Sequence, residues 1–252
     1  MSKIILLTST ILLSCQRETD MSKYDIPRHH ITLPHILDEI SGLTYHSKNT
    51  LLTINDERGE IYYYDYKDQV ISKVLKFGKE GDYEGISYAK PYIYVAKSNG
   101  HIYQLNEKTK EVIKHKLPFN NKNNIEGLCN ISQDELLIAL KDRGGFDGEK
   151  NKKHTIYKFN LKSNITKPFI EFESDKKIGW SGIAIYKNRL FALSHRSGEL
   201  YEFDTTTKEL LDKNKLRGKY FPQPEGICFD LEGNLFISNE QADRNRATLL
   251  QF

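Results

Sequence analysis

Five times the chain writes a variant of one phrase: EISGLTY at 39–45, DYEGISY at 82–88, NIEGLCN at 124–130, GWSGIAIY at 179–186 and QPEGICF at 223–229. The glycines are Gly42, Gly85, Gly127, Gly182 and Gly226, at intervals of 43, 42, 55 and 44 residues. Self-similarity at such a period marks a chain built by stacking one supersecondary unit, and it restricts the fold more than any composition could. The long interval contains an insertion, DRGGFDGEKNKKH at 142–154.

Each unit holds four runs of strand-forming residues. In the second copy they are EGISYA, YIYVAKS, HIYQLN and EVIKHKLPF, with Asn99-Gly100 as the hairpin signal between the middle two. No long segment has a helical period. Four-stranded units every 40–50 residues are the pattern of a β-propeller. The fifth copy has only three runs before the chain ends, EGICFD, NLFISNE and ATLLQF. The missing run is HHITLP at 29–34, ahead of the first repeat. The expected fold is therefore all-β: a five-bladed propeller of four antiparallel strands per blade, spanning 29–252, with the N-terminal strand completing the last blade and covering its edge. The two residues after each glycine end in a small one (Thr44, Ser87, Cys129, Ala184, Cys228), as expected if innermost strands converge on an axis.

The fold leaves some letters unexplained. In a propeller, the start of each innermost strand and the end of the second strand share one face, around the mouth of the central channel. Before the glycines stand Glu84, Glu126 and Glu225, with Ser41 and Ser181 in the other copies; Glu39 lies two residues ahead of Ser41. At the second-strand ends stand Asp56, Lys97, Lys141, Arg143, His195, Arg196, Asn239 and Glu240. Glu84, Glu126, Glu225 and Glu240 are the candidate metal ligands, because carboxylates aimed at one axis repel unless a hard cation such as Ca²⁺ offsets them. The plainer alternative is that each Glu is satisfied by loop N–H groups or by Lys97, Lys141, Arg143 or Arg196. Asp56, Lys97, Lys141, Arg143, Arg196 and Asn239 are the candidate ligand-binding residues. His195 and Glu225 are the candidates for moving a proton; GxSxG, HExxH, P-loop and Cys/His zinc spacings are absent. The insertion at 142–154 is expected on the same face, as a lid or as a loose loop.

The first fifteen residues, MSKIILLTSTILLSC, place one Lys before a short apolar run, the form of a secretory signal peptide. Leu12-Leu13-Ser14-Cys15 resembles a bacterial lipobox, so residues 1–14 read as a lipoprotein signal, Cys15 as the lipidated residue and 15–28 as a polar tether. That places the protein in the cell envelope, facing the periplasm or the outside and held to a membrane by acyl chains. Cys129 and Cys228 occupy the same repeat position in separate blades and read as small buried thiols. A net charge of +3 over 252 residues, with dispersed lysines, gives no ground for a nucleic-acid partner; a monomer is expected.

The stretches ISGLTYHSKNTLLTINDERGEIYYYD, DYEGISY, SGIAIYKNRLFALSHRSGELYEFD and QPEGICFDLEGNLFISNEQ together resemble the SdiA-regulated family of bacterial envelope propellers, over nearly all of 35–252. The esterase-like phytase group and, more distantly, the gluconolactonase group are related to it. The resemblance implies an exported or anchored propeller, with calcium as a potential ligand, and implies no fixed activity. By position, Glu84, Glu126, Glu225, Asp56 and Glu240 match the family's acidic positions, whereas Ser181 and His195 depart from them. Two functions follow as expectations. One is a module binding a small molecule, glycan or protein at the mouth. The other is a metal-assisted hydrolase of phosphate esters or lactones.

Overall fold

The computed structural model describes residues 23–216, 218–242 and 245–252. It is an all-β, five-bladed propeller, and each blade is one four-stranded antiparallel sheet. Blade 5 begins at the N-terminus with β1 (His29–Thr32). Blade 1 comprises β2 (Ile40–Ser47), β3 (Thr50–Asn55), β4 (Glu60–Asp65) and β5 (Val70–Lys76). Blade 2 comprises β6 (Tyr83–Ala89), β7 (Tyr92–Lys97), β8 (His101–Asn106) and β9 (Val112–Lys116). Blade 3 has β10 (Ile125–Ser132), β11 (Glu135–Leu140), β12 (His154–Asn160) and β13 (Ile165–Phe172). Blade 4 has β14 (Trp180–Tyr186), β15 (Arg189–Ser194), β16 (Glu199–Asp204) and β17 (Leu210–Lys215). Blade 5 is finished by β18 (Pro224–Phe229), β19 (Leu235–Asn239) and β20 (Thr248–Gln251), with β1 as its outermost strand, paired His29 to Gln251 and Thr32 to Thr248. The expected five blades and the closing N-terminal strand are both present.

The core is five apolar layers, one between each pair of blades. One such layer joins Tyr94, Ile102 and Phe119 of the second unit to Leu128, Ile138 and Phe159 of the third. The glycines explain how the innermost strands come so close. A Cβ on Gly85 would stand 2.7 Å from Cβ of Leu128 in the next blade. A Cβ on Gly226 would stand 2.7 Å from Cβ of Leu43, where the fifth blade meets the first and the ring closes. Glycine is required there by proximity.

The small residues serve a different purpose from the one the sequence suggests. The axis is filled by Leu43, Ile86, Leu128, Ile183 and Ile227, which leave a void of about 10 Å³, room for at most about one water. The small residues face the next blade instead: Cys129 and Cys228 pack there as free buried thiols, and the Ser87 hydroxyl contacts Asn130 Oδ1 at 2.8 Å. The channel is shut below its mouth.

Among the described residues no helix is long and apolar enough to cross a membrane. Cys15 and the expected signal peptide lie outside the described residues. Residues 23–28, expected at the end of the tether, lie on the propeller: Lys23 pairs with the buried Glu202 at 2.6 Å, Tyr24 is 7% exposed, and the Arg28 N–H donates to the Gln251 carbonyl.

Candidate functional site

Every blade carries a register irregularity at the start of its innermost strand, between Ile40 and Leu43, Tyr83 and Gly85, Ile125 and Gly127, Trp180 and Gly182, and Pro224 and Ile227. A bulge leaves one residue outside the ladder and re-aims its side chain. Glu84, Glu126 and Glu225 occupy those positions and line the top of the axial void. The serine copies use the position differently. Ser41 Oγ donates to the Tyr83 carbonyl at 2.7 Å and Ser181 Oγ to the Pro224 carbonyl at 2.8 Å, each one blade onward. In two blades the bulge stitches the ring; in three it delivers a carboxylate.

Among the described residues, the three carboxylates at the axis have one ion-pair partner, Lys141. Lys141 Nζ pairs with Glu126 at 2.9 Å, and Asn124 donates to the same oxygen at 2.7 Å. Burial raises the Glu126 carboxyl to about 7, although Lys141 offsets part of the effect. Burial and then the Glu126 charge push Glu84 far above the usual carboxylate range; burial, Glu126 and Glu240 do the same to Glu225. Burial opposes the charge on Lys141, but Glu126, Glu84 and Glu225 outweigh it and raise its pKa.

Beside this ring is a cavity of about 220 Å³. Blade 3 supplies Glu126 and Lys141, blade 4 Trp180, His195 and Arg196, and blade 5 Gln223 and Glu225. Burial, then Lys141 and Arg196, lower the His195 pKa, which keeps the imidazole neutral at pH 7. Gly179 makes room for the Arg196 stem, since a Cβ there would stand 2.8 Å from Arg196 Cδ. Sequence reasoning missed Trp180 and Gln223, though both sit one or two places before a repeat glycine's partner residue.

A second carboxylate group forms where blades 5 and 1 meet. Glu39, Asp56 and Glu240 each offer an oxygen, and these lie within 4.8 Å of one another. Among the described residues it is the one cluster with spacing for a metal ion; Glu84, Glu126 and Glu225 do not form another. Asp56 Oδ1 is buried without a hydrogen-bond partner. Burial, then Glu39, Glu57 and Asp82, raise Asp56 to about 6; burial and the adjoining Glu39 raise Glu240 to about 8, with Gln223 donating to Glu240. Carboxylates that crowd without a cation suit a hard divalent ion. Of the four expected metal ligands, Glu240 belongs here and the other three surround the axis. Glu39 completes the set and could have been found only from its place beside Asp56 at the blade junction.

Other candidates lie apart from both groups. Lys97 lies over the Tyr83 ring, its Nζ 5.2 Å from the centroid. Arg143 reaches the carbonyls of Lys152 and Ser174. Asn239 is fully buried, and its amide donates to the Tyr220 carbonyl at 2.9 Å and to Thr248 Oγ1 at 3.0 Å, securing a strand end. The insertion is neither lid nor loose loop. Phe146 packs on Phe119 and Tyr157, the Tyr157 hydroxyl donates to the Gly144 carbonyl, and the Asp147 N–H donates to the Pro118 carbonyl. It lines none of the mouth cavity; it meets the mouth residues where Asp142 pairs with Arg196 and where the His154 ring stands edge-on to Trp180.

The same architecture recurs in solved structures of low identity, a likeness of fold alone. Glutaminyl cyclase of Myxococcus xanthus superposes with a TM-score of 0.65 at 10% identity, over 90% of this chain and 97% of that one. A streptogramin B lyase gives 0.54 at 10% identity, over 89% and 97%. Virginiamycin B lyase of Staphylococcus aureus gives 0.50 at 15% identity, over 88% and 68%. No curated protein matches the chain. The bulged Glu-Gly repeats that build this mouth fall within residues 17–242, which match the SdiA-regulated family model, and the chain belongs to that family.

Proposed function

We propose that this protein is a lipid-anchored propeller of the cell envelope that binds a small ligand at its channel mouth, with Ca²⁺ held by Glu39, Asp56 and Glu240. The supporting observation is electrostatic. Buried carboxylates face one mouth with Lys141 as the cation paired among them, and such a site is completed by what it binds. The cation would neutralise the junction carboxylates and supply a positive centre beside the cavity. The anchor is Cys15, and the protein acts as a monomer without nucleic acid.

The test is a thermal unfolding scan of the full-length chain after EDTA, with Ca²⁺ titrated back. A ligand of the native state alone stabilises by RT ln(1 + [L]/Kd), about 2.7 kcal/mol at a hundredfold excess. The expected result is a rise of several degrees that Asp56→Asn removes; a flat titration to millimolar Ca²⁺ overturns the metal. Cys15→Ser should move the protein from the membrane to the soluble fraction.

The second reading is a hydrolase, favoured by His195, neutral and in the same cavity as Glu225. It requires Glu225→Gln to abolish turnover of a lactone or phosphate ester with the fold retained. The cavity lacks a positioned nucleophile among the described residues, so binding is the better account.

A further inference from the structure

The class of ligand follows from how charge is divided around the 220 Å³ cavity, and this inference rests on the mouth being a binding site. Glu225 and Gln223 come from blade 5, Arg196 and His195 from blade 4, and the Lys141–Glu126 pair from blade 3. Lys141 is committed to Glu126, and among the described residues no ion pair reaches Glu225. Glu225 is hydrogen-bonded by Gln223 and feels the Lys141 charge, but among the described residues it has no ion-pair partner of its own. Arg196 is 39% exposed, and among the described residues its one ion-pair partner is Asp142, itself 60% exposed, a pair that solvent already weakens.

Each simple ion is disfavoured at some wall. A phosphate group would bring two more negative charges to the carboxyls of Glu126 and Glu225, whose crowding already opposes ionisation. A polyamine would meet Lys141 and Arg196. A molecule carrying one charge of each sign, a short distance apart, satisfies both walls. The volume corresponds to about seven waters, enough for a metabolite of roughly ten heavy atoms and below the usual range for larger ligands. The Trp180 ring is 1% exposed and packs behind this wall on Tyr201 and Phe203, so the polar groups do the recognising.

We infer that the mouth cavity recognises a free α-amino acid, its ammonium group donating to Glu225 and its carboxylate accepting from Arg196 and His195. Lys141 stays with Glu126 and sets the positive side of the cavity. Selection among amino acids falls to Gln223.

Calorimetric titration of the full-length chain with each common L-amino acid tests this. At least one should bind; its decarboxylated amine and its N-acetyl derivative should each bind about tenfold more weakly or worse. Glu225→Gln should remove binding. Should Glu225→Gln fail to fold, Arg196→Gln, at an exposed side chain, is expected to weaken the amino acid while leaving the bare amine unchanged. No binding by any amino acid, or equal binding by the amine alone, overturns the inference. An amine that binds equally well and is lost in Glu225→Gln leaves the mouth reading standing. Binding unchanged in both variants would place the ligand elsewhere and remove both.

Discussion

A lone carboxylate and a cluster of carboxylates, on opposite faces of one propeller, are treated in opposite ways. At the face away from the mouth, Glu107 follows β8 and accepts hydrogen bonds from His46 Nε2 at 3.0 Å, Tyr63 at 2.8 Å and Tyr88 at 3.1 Å. It ties blade 1 to blade 2. Burial alone would raise this carboxyl, but Tyr63, His46 and Tyr88 outweigh it and hold the pKa below the ordinary value. At the mouth, burial and neighbouring carboxylates raise Glu84, Glu126, Glu225, Asp56 and Glu240. One face uses a carboxylate to hold blades together; the other concentrates carboxylates that the fold leaves short of partners. The difference separates charge kept for stability from charge kept for binding.

The largest expected effect breaks the satisfied face. Glu107→Ala strands three donors and should lower stability by about 3 kcal/mol, a fall in Tm of roughly 6–12 °C for a domain of this size. Because the folded pKa of Glu107 is depressed, its contribution is present above the unfolded value and is lost as pH falls through the folded one. The gap between wild-type and Glu107→Ala melts should therefore close in acid, as pH falls through the depressed Glu107 pKa. A gap that persists there would mean that the glutamate acts through packing alone.

The mouth should respond in the opposite sense. Its carboxyls have raised folded pKa values, so between about pH 5 and 8 the native state binds more protons than the unfolded chain, and stability declines as pH rises. Glu126, at about 7, titrates within this window, and Glu84 above it. Glu84→Gln should thus stabilise the ligand-free protein by about 1–2 kcal/mol at pH 8, with the two melting curves converging near pH 5. A destabilised Glu84→Gln at pH 8 would show that Glu84 is ionised and held by a counter-charge, as Glu126 is by Lys141, and the contrast between the faces would fail.

Sequence carried these regions unequally. The ring of blades was legible because each repeat writes its glycine at the point of closest approach, as Gly85 against Leu128 shows. The mouth was legible as a face: Glu126, Glu225, Lys141, Arg196 and His195 were named from repeat position alone and share one cavity. Which carboxylates converge was not legible, because it depends on the axial radius set by Leu43, Ile86, Leu128, Ile183 and Ile227, and on the junction that brings Glu240 to Glu39. Nor was the role of Asn239, whose partners Tyr220 and Thr248 belong to other segments of blade 5. Glu107 gave no signal at all. It reads as one residue of a polar turn, NEKTK, and two of its partners lie 44 and 61 residues away.

The smallest expected effect sharpens the comparison further. Asp142 is well exposed and pairs with Arg196 from the next blade. An exposed pair of this kind contributes at most about 0.5 kcal/mol, so Asp142→Ala should change Tm by no more than roughly 2 °C. The insertion keeps its shape without that contact, since Phe146, Tyr157 and Asn151 hold it through packing and hydrogen bonds. What changes is the mouth: Arg196 loses its only ion-pair partner among the described residues and becomes available to an anionic group in the cavity. Asp142→Ala should then tighten binding of a ligand bearing a carboxylate by a few-fold, measured by calorimetric titration beside an unchanged melting curve. A loss of stability with no gain in binding would assign the pair to the fold, as Glu107 is assigned, and would move Arg196 out of the functional mouth.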